Sequence, residues 1–264
     1  MQPLAALAQD VRSNVLGVLT DIDDTLSSGG RMTAAAYSAL EGLRDAGLRV
    51  LAITGRPAGW CDHIARLWPV DAVVGENGAF YMLYDAKARK LRTHFAAGAE
   101  ERHLQRERLA AIAAKILREV PGCALASDQP YRASDLAIDY CEDVPPLLSA
   151  QAEQIAALMR AEGLTAKVSS IHVNGWFGNH DKLSMTRRLF ADEFGIDLDA
   201  MRERFIFIGD SPNDAPMFGY FPYSVGVANV RRFGARLDAP PKYVTGGDAG
   251  AGFVELAELL LQSR

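Results

Sequence analysis

The chain has 264 residues, 49% of them hydrophobic and 23% charged, and carries a formal net charge of -5. This is an ordinary globular balance, long enough for about two domains and a sizeable core. The acidic charge argues against bulk electrostatic binding to nucleic acid or an anionic membrane surface, and leaves room for a local basic pocket that takes a small anion.

Residues 2 to 13 read as a short helix or an irregular lead-in. Val15, Leu16, Val18 and Leu19 then form an apolar run that predicts a buried strand, followed by a Gly-containing loop from Ser27 to Arg31. Thr33 is placed to cap a helix carrying Tyr37, Leu40 and Leu43 and closed by Gly47. Arg49 to Ile53 is a second strand, and Pro57 is placed to open the next helix. Asp71 to Val74 is a third strand. This alternation of strand and helix predicts a parallel α/β sheet.

The pattern then changes. Phe80 to Tyr84 and Leu91 to Phe95 read as strands around a basic turn. A long amphipathic helix follows, with Leu109, Ile112, Ile116, Leu117 and Val120 on one face and Arg102, Arg106 and Arg108 on a solvated one. Leu136 to Tyr140, a helix with Ile155, Leu158 and Met159, and strands at Thr165 to Ile171 and His172 to Phe177 complete a separate α+β module, roughly 84–177. The α/β pattern resumes with a helix from Asp181 bearing Met185, Leu189, Phe190 and Phe194 and stopped by Gly195. Strands at Phe205 to Ile208, Tyr223 to Val227 and Tyr243 to Val244 and a closing helix from Phe253 to Leu261 end the chain. The expected architecture is a discontinuous, Rossmann-like parallel-sheet core, 1–83 and 178–264, with an inserted α+β cap domain, 84–177.

Three cysteines, Cys61, Cys123 and Cys141, show no C-x-x-C spacing and read as idle thiols in a reducing cytosol. With no secretory leader pattern and no membrane-length apolar run, the expected location is cytoplasmic, as a monomer or homodimer with no membrane or nucleic-acid partner.

Polar signals recur at strand ends. Asp21, Asp23 and Asp24, with Thr25 behind them, end the first strand. Three carboxylates in four residues repel one another, and a divalent ion with hard oxygen ligands such as Mg²⁺ relieves that. On its own, D-x-D-x-T reads equally as an acidic, solvated turn. Thr54 ends the second strand, and Asp210, with Asn213 and Asp214 close behind, the fourth. Ligands of open α/β sheets bind at that edge. Each group suits phosphoryl transfer. Asp21 is the candidate nucleophile and a metal ligand. Asp23 is the candidate acid and base, with one of its oxygens within reach of the metal. Thr54 is a phosphoryl donor, Lys182 a charge neutraliser, and Asp210 and Asp214 complete or orient the magnesium shell.

Together D-I-D-D-T at 21–25, T-G-R at 54–56, Lys182 and G-D-S-P-N-D at 209–214 resemble the motifs of the haloacid dehalogenase-like phosphatase superfamily. The order matches, as does the large insertion between the second and third motifs. G-E-N-G-A at 75–79 is similar to the branch with a C2B-type cap, which includes phosphatases of sucrose, trehalose and mannosylglycerate phosphates and the phosphomannomutases. The approach to the lysine, Gly178-Asn179-His180-Asp181-Lys182, departs from the usual small-residue pattern. The resemblance implies a Mg²⁺-dependent phosphatase of a small phosphorylated metabolite, a sugar phosphate or glycosyl-glycerate phosphate, acting through an aspartyl-phosphate, with a cap that reads the leaving group. A phosphomutase and a catalytically silent phospho-ligand sensor are the alternatives.

Substrate contacts are expected from Thr54, Gly55, Arg56, Asn77 and Asn213. His172 and Asn174 join them, since strand alternation turns both away from Ile171 and Val173. Arg132 reads as solvated by default, although it could pair with a second anionic group, and His180 as a capping or surface residue or an extra phosphate contact.

Overall fold

The computed structural model describes residues 1–264, the side chain of Ala235 apart. A nine-stranded sheet forms the frame. From edge to edge its strands are Gln2–Pro3, Tyr243–Val244, Val225–Gly226, Phe205–Gly209, Gly17–Thr20, Arg49–Ile53, Ala72–Gly75, Phe80–Asp85 and Lys90–Phe95. The first seven run parallel, and the last two add an antiparallel hairpin.

Both faces of the central strands are covered, which is why their sequences are continuously apolar rather than alternating. Val18, Val50 and Ile206 pack into one layer with Leu40, Leu43, Leu256 and Leu260. Their neighbours Leu19, Leu51 and Phe207 enter the opposite layer with Met185, Leu189 and Phe190. The Thr33 side chain accepts from the Ala36 N–H (3.2 Å) and caps helix Ala34–Asp45 as expected.

A second, four-stranded antiparallel sheet lies in the insertion, in the order Thr165–Val168, His172–Trp176, Asp135–Asp139, Ala124–Leu125. Helices Ala99–Glu119 and Ser149–Ala161 cover one face, burying Leu109, Ile112, Ile116, Ile155 and Met159 against Leu136, Ile138 and Val173. The alternate residues of the two central strands, Asp135, Asp139, His172 and Asn174, are buried on the other, polar face.

Several expectations shift. Lys90–Phe95 pairs along its whole length with Phe80–Asp85 and stays in the large sheet, so the chain leaves that sheet only after Phe95 rather than at residue 84. The strand at Thr165 stops at Val168, and Ser169 to Ile171 make the turn, where the Ser169 Oγ accepts from the His172 N–H. Leu117 is 37% exposed, outside the buried stripe. Arg106 and Arg108 are exposed as expected, Arg102 is half-buried, and the guanidinium groups of Arg102 and Arg108 lie 3.7 Å and 4.1 Å from the ring centres of Phe95 and Phe177. The loop from Ser27 to Arg31 is a small hairpin, Ser27–Ser28 with Arg31–Met32. The lead-in holds an edge strand and helix Gln9–Asn14. The helix after Asp181 is regular over Lys182–Leu189 and widens into a π-turn over Phe190–Phe194, ended by Gly195 at φ 64°. Among the described residues no helix is long and apolar enough to cross a membrane.

Candidate active site

The carboxyl ends of five adjacent parallel strands supply the site. Asp21 follows Gly17–Thr20, Thr54 follows Arg49–Ile53, Glu76 and Asn77 follow Ala72–Gly75, Asp210 follows Phe205–Gly209, and Asn229 follows Val225–Gly226. Lys182 arrives from outside the sheet as the first residue of its helix. Asp181 caps that helix by accepting from the Ser184 N–H at 2.7 Å. Gly78, at φ 103°, lets the turn after Ala72–Gly75 meet the start of the lysine helix. A Cβ there would lie 2.0 Å from the Asp181 carbonyl oxygen.

At the centre the Lys182 ammonium donates to Asp21 Oδ1 (2.6 Å) and Asp214 Oδ1 (2.7 Å), all three groups buried. Asp214 Oδ2 accepts from the backbone N–H groups of Asp210 (3.0 Å) and Ser211 (3.3 Å). That approach requires Gly209, where an added Cβ would come within 2.3 Å of the same oxygen. Asp210 Oδ2 accepts from Asn229 (3.2 Å), and Asp210 Oδ1 is buried with no partner.

Asp21, Asp210 and Asp214 each place a carboxylate oxygen within 4.8 Å of the others. Three carboxylates against one ammonium leave an excess of negative charge. Burial, with Asp214 and Asp23 adding to it and Lys182 opposing, pushes the Asp21 carboxyl up to about 8. Burial, then Asp21 and Asp214, pushes Asp210 well above the usual range. Burial works against the Lys182 ammonium, but Asp21 and Asp214 outweigh it and hold its pKa above the usual lysine range. A hard divalent cation fits this donor set, because the orphaned Asp210 oxygen faces a cluster that lacks positive charge.

Asp23 stands apart from this cluster. Arg56 grips its carboxylate, donating from Nε to both oxygens (3.0 and 2.9 Å) and from Nη2 to Oδ1 (2.8 Å). The side chain of Asp23 is therefore engaged by a guanidinium and lies outside the three grouped carboxylates, which leaves its backbone oxygen as the one within reach of their site. The same guanidinium reaches the insertion through Glu142 (2.5 Å) and Asp128 (3.4 Å). Glu142 in turn lies 2.9 Å from His172 Nε2. Its burial favours the neutral acid, but His172 and Arg56 outweigh that and pull the carboxyl down to about 2.

The other expected residues fall as follows. The Thr54 Oγ accepts from the Arg56 N–H (3.0 Å), and the Thr54 carbonyl from the Asn77 N–H (3.0 Å). Asn77 Oδ1 accepts from Asn213 (3.1 Å), joining the third-strand and fourth-strand loops. His172 and Asn174 do face the cleft. With Asp21, Asp23, Arg56 and Asn213 they line a cavity of about 20 Å³. Asn174 also donates to Asp135 (3.0 Å). His180 stacks on Trp176 with ring centroids 5.6 Å apart, and burial pushes its imidazole down to about 4.

Arg132 is the clearest departure. It is buried, not solvated, and paired with Asp128 (2.9 Å) and Asp135 (3.0 Å), and it donates to the Gly55 carbonyl (2.9 Å). Glu76, which the sequence reading passed over, completes this contact. Its buried carboxylate accepts from the N–H groups of Ala58 (3.0 Å), Ala133 (2.8 Å), Ser134 (2.7 Å) and Asp135 (3.2 Å), clasping the insertion to the sheet. Asn229 was also missed, although its place just after a parallel strand is the same signal that marks Asp21 and Asp210.

Glu76→Ala leaves these donors unpaired and is expected to lower the unfolding free energy by about 2–4 kcal/mol, read by urea denaturation. Burial, then Asp135, pushes the Glu76 carboxyl up to about 7 against the pull of Arg132 and the backbone donors. A carboxyl whose folded pKa lies above its unfolded one favours folding at low pH and loses that contribution as pH rises through the folded value. Urea midpoints in EDTA are therefore expected to fall as pH is raised from about 4 to 8, and Glu76→Gln to flatten the slope; a flat wild-type profile contradicts this.

Residues 18–104 match the family model of the haloacid dehalogenase-like hydrolases. No curated protein sequence matches the chain. Among solved structures it is similar to a protein from Thermoplasma acidophilum, at 16% identity and TM-score 0.67 over 95% of this chain and 99% of that one. It is also similar to the sucrose-phosphatase from Synechocystis sp. solved with sucrose and phosphate, at 18% identity and TM-score 0.64 over 93% and 97%. A subclass IIB sugar phosphatase matches at 15% identity and TM-score 0.62 over 92% and 98%. At these identities the likeness concerns the fold, and it extends through sheet and insertion alike.

Proposed function

We propose that this protein is a Mg²⁺-dependent phosphatase that cleaves a small phosphorylated metabolite, of the sugar phosphate or glycosyl-glycerate phosphate class, through an aspartyl-phosphate on Asp21. The observation that carries the reading is the buried arrangement of Lys182 between Asp21 and Asp214, with the unpartnered Asp210 oxygen beside it. The fold shared with phosphatases of sucrose phosphate and other sugar phosphates supports the substrate class.

Lys182 occupies Asp21 Oδ1, which leaves Oδ2 to attack phosphorus. The P–O bond to the alcohol breaks, and Asp23 gives that oxygen its proton. Asp23 then takes a proton from water, whose oxygen attacks the phosphorus and frees Asp21 and inorganic phosphate. Arg56 holds Asp23 in place for both transfers. Thr54, Asn77 and Asn213 surround the phosphoryl position. Asp21 and Asp210 would hold the magnesium ion, with Asp214 fixing Lys182 and the loop behind it. When bound, the ion supplies positive charge to the phosphoryl oxygens and to Asp21.

Phosphate release from a panel of sugar, glycerate, nucleoside and aryl phosphates, with Mg²⁺ and with EDTA, tests the reading. Metal-dependent release concentrated in the sugar or glycerate esters is expected; no release from any ester contradicts it. Asp23→Ala is expected to slow both the burst and the steady state by about 10²–10⁴-fold in rapid-quench measurements. Unchanged rates of both phases remove its acid and base role.

A further inference from the structure

A larger cavity, of about 310 Å³, opens beside Asp23. That volume lies at the lower end of the range for small-molecule sites. Trp60 and Trp68, in and just after helix Ala58–Leu67, Met32 of the hairpin around Gly30, and Ile22 of the loop after Gly17–Thr20 give it apolar walls, while His63 and Ser27 add polar edges. Asp23 and Arg56 line both this cavity and the small one over Asp21, whereas Asp21 lines only the small one. The chemistry proposed above gives the arrangement a direction. Phosphorus sits against Asp21 and the leaving oxygen against Asp23, so the rest of the alcohol extends past Asp23.

Two observations indicate what that alcohol is. Trp60 is 43% exposed, a large aromatic surface left open beside a catalytic group, with the Arg56 guanidinium 4.4 Å from its ring centre. Ser27, only 6% exposed, has an Oγ buried without a hydrogen-bond partner. A ligand that satisfies both needs a flat C–H face for indole and a hydroxyl for Ser27. A plain hydrocarbon leaves Ser27 orphaned. A second anionic group is disfavoured, since the nearest cation, Arg56, is already paired with Asp23 and Glu142.

We propose that this cavity is the leaving-group subsite and that it takes the ring of a neutral sugar, stacked on Trp60 and hydrogen-bonded to Ser27. The proposal rests on the phosphatase reading for its direction. It makes Trp60 and Ser27 residues that set specificity, on the sheet side of the cleft rather than on the insertion.

The test compares kcat/KM for a hexose phosphate and for glycerol phosphate, which has no ring, in wild type, Trp60→Ala, Trp60→Phe and Ser27→Ala. Trp60→Ala is expected to lower the hexose-to-glycerol ratio about tenfold, with Trp60→Phe restoring most of it and Ser27→Ala lowering it about three- to tenfold. A change that falls equally on both esters, or a ratio unmoved in Trp60→Ala, overturns the subsite and leaves the phosphatase reading intact. Absence of turnover on every ester contradicts the phosphatase reading instead. The subsite is then judged by titrating the hexose phosphate against tryptophan fluorescence in EDTA. Saturable quenching in wild type that weakens about tenfold in Trp60→Ala supports it. Equal binding by both proteins, or none by wild type, overturns it.

Discussion

Asp21→Asn is expected to lower turnover by at least about four orders of magnitude while leaving the protein folded. The amide keeps the shape of the carboxylate and an oxygen for Lys182, but it is no nucleophile. Stability is expected to hold or rise, because the substitution removes one member of a crowded buried cluster whose own carboxyl is pushed up to about 8, first by burial. Asp214 still pairs with the Lys182 ammonium at 2.7 Å, so the cation is not orphaned. Thermal unfolding by circular dichroism, run beside the activity assay, separates the two effects. Near-normal turnover in the amide variant contradicts a covalent role for Asp21. Loss of both fold and activity means that Asp21 is needed structurally.

Lys182→Met has the opposite character. The ammonium is the one cation that bridges Asp21 and Asp214, and it enters from a helix far along the chain. Its removal leaves two buried carboxylates unpaired beside Asp210, a change of the kind that costs about 3–5 kcal/mol. Activity is expected to be abolished as well. The stability loss has a sign in pH. With no cation nearby, the Asp21 carboxyl is pushed further up, so the defect is greatest at high pH and shrinks as acid neutralises it. Mg²⁺ is expected to restore part of the loss near neutral pH, since an ion among the same oxygens supplies the missing charge. Urea denaturation at pH about 5 and about 8, with and without Mg²⁺, checks all three statements. A defect equal at both pH values and indifferent to the ion contradicts the electrostatic account.

The sheet was legible because its strands are apolar throughout, a pattern that only two covered faces produce, and because the polar residues collect where those strands end. Asp21, Thr54 and Asp210 follow from that reading with no knowledge of contacts, and Lys182, which starts a helix outside the sheet, follows only from its place in the order of motifs. Arg132 and Glu76 do not. Arg132 pairs with residues four before and three after it, but across the end of a single 3-10 turn, Gln129–Tyr131, too short for spacing to define a face. Glu76 sits between Gly75 and Asn77 in what reads as a turn, and its partners in the insertion lie 57 to 59 positions away. Lys90–Phe95 misled for a related reason. Its alternating, mostly exposed residues describe an edge strand but not which sheet it edges.

The contacts that escaped the sequence are those between insertion and sheet. Arg56, Arg132 and Glu76 together fix Asp128, Asp135, Glu142 and the backbone of residues 133–135 over the strand ends. They leave only the small cavity above Asp21.

The most direct measurement is a search for phosphate bound covalently to Asp21. The Asp23→Ala variant, mixed with a turned-over ester labelled in its phosphorus and with Mg²⁺, is quenched in acid within the first turnover, digested, and its peptides are mapped by mass spectrometry. A phosphorylated peptide containing Asp21, absent when the same experiment is run with Asp21→Asn in the Asp23→Ala background, is the predicted result. Product formation with no labelled protein at any time, or a label on another residue, contradicts the account.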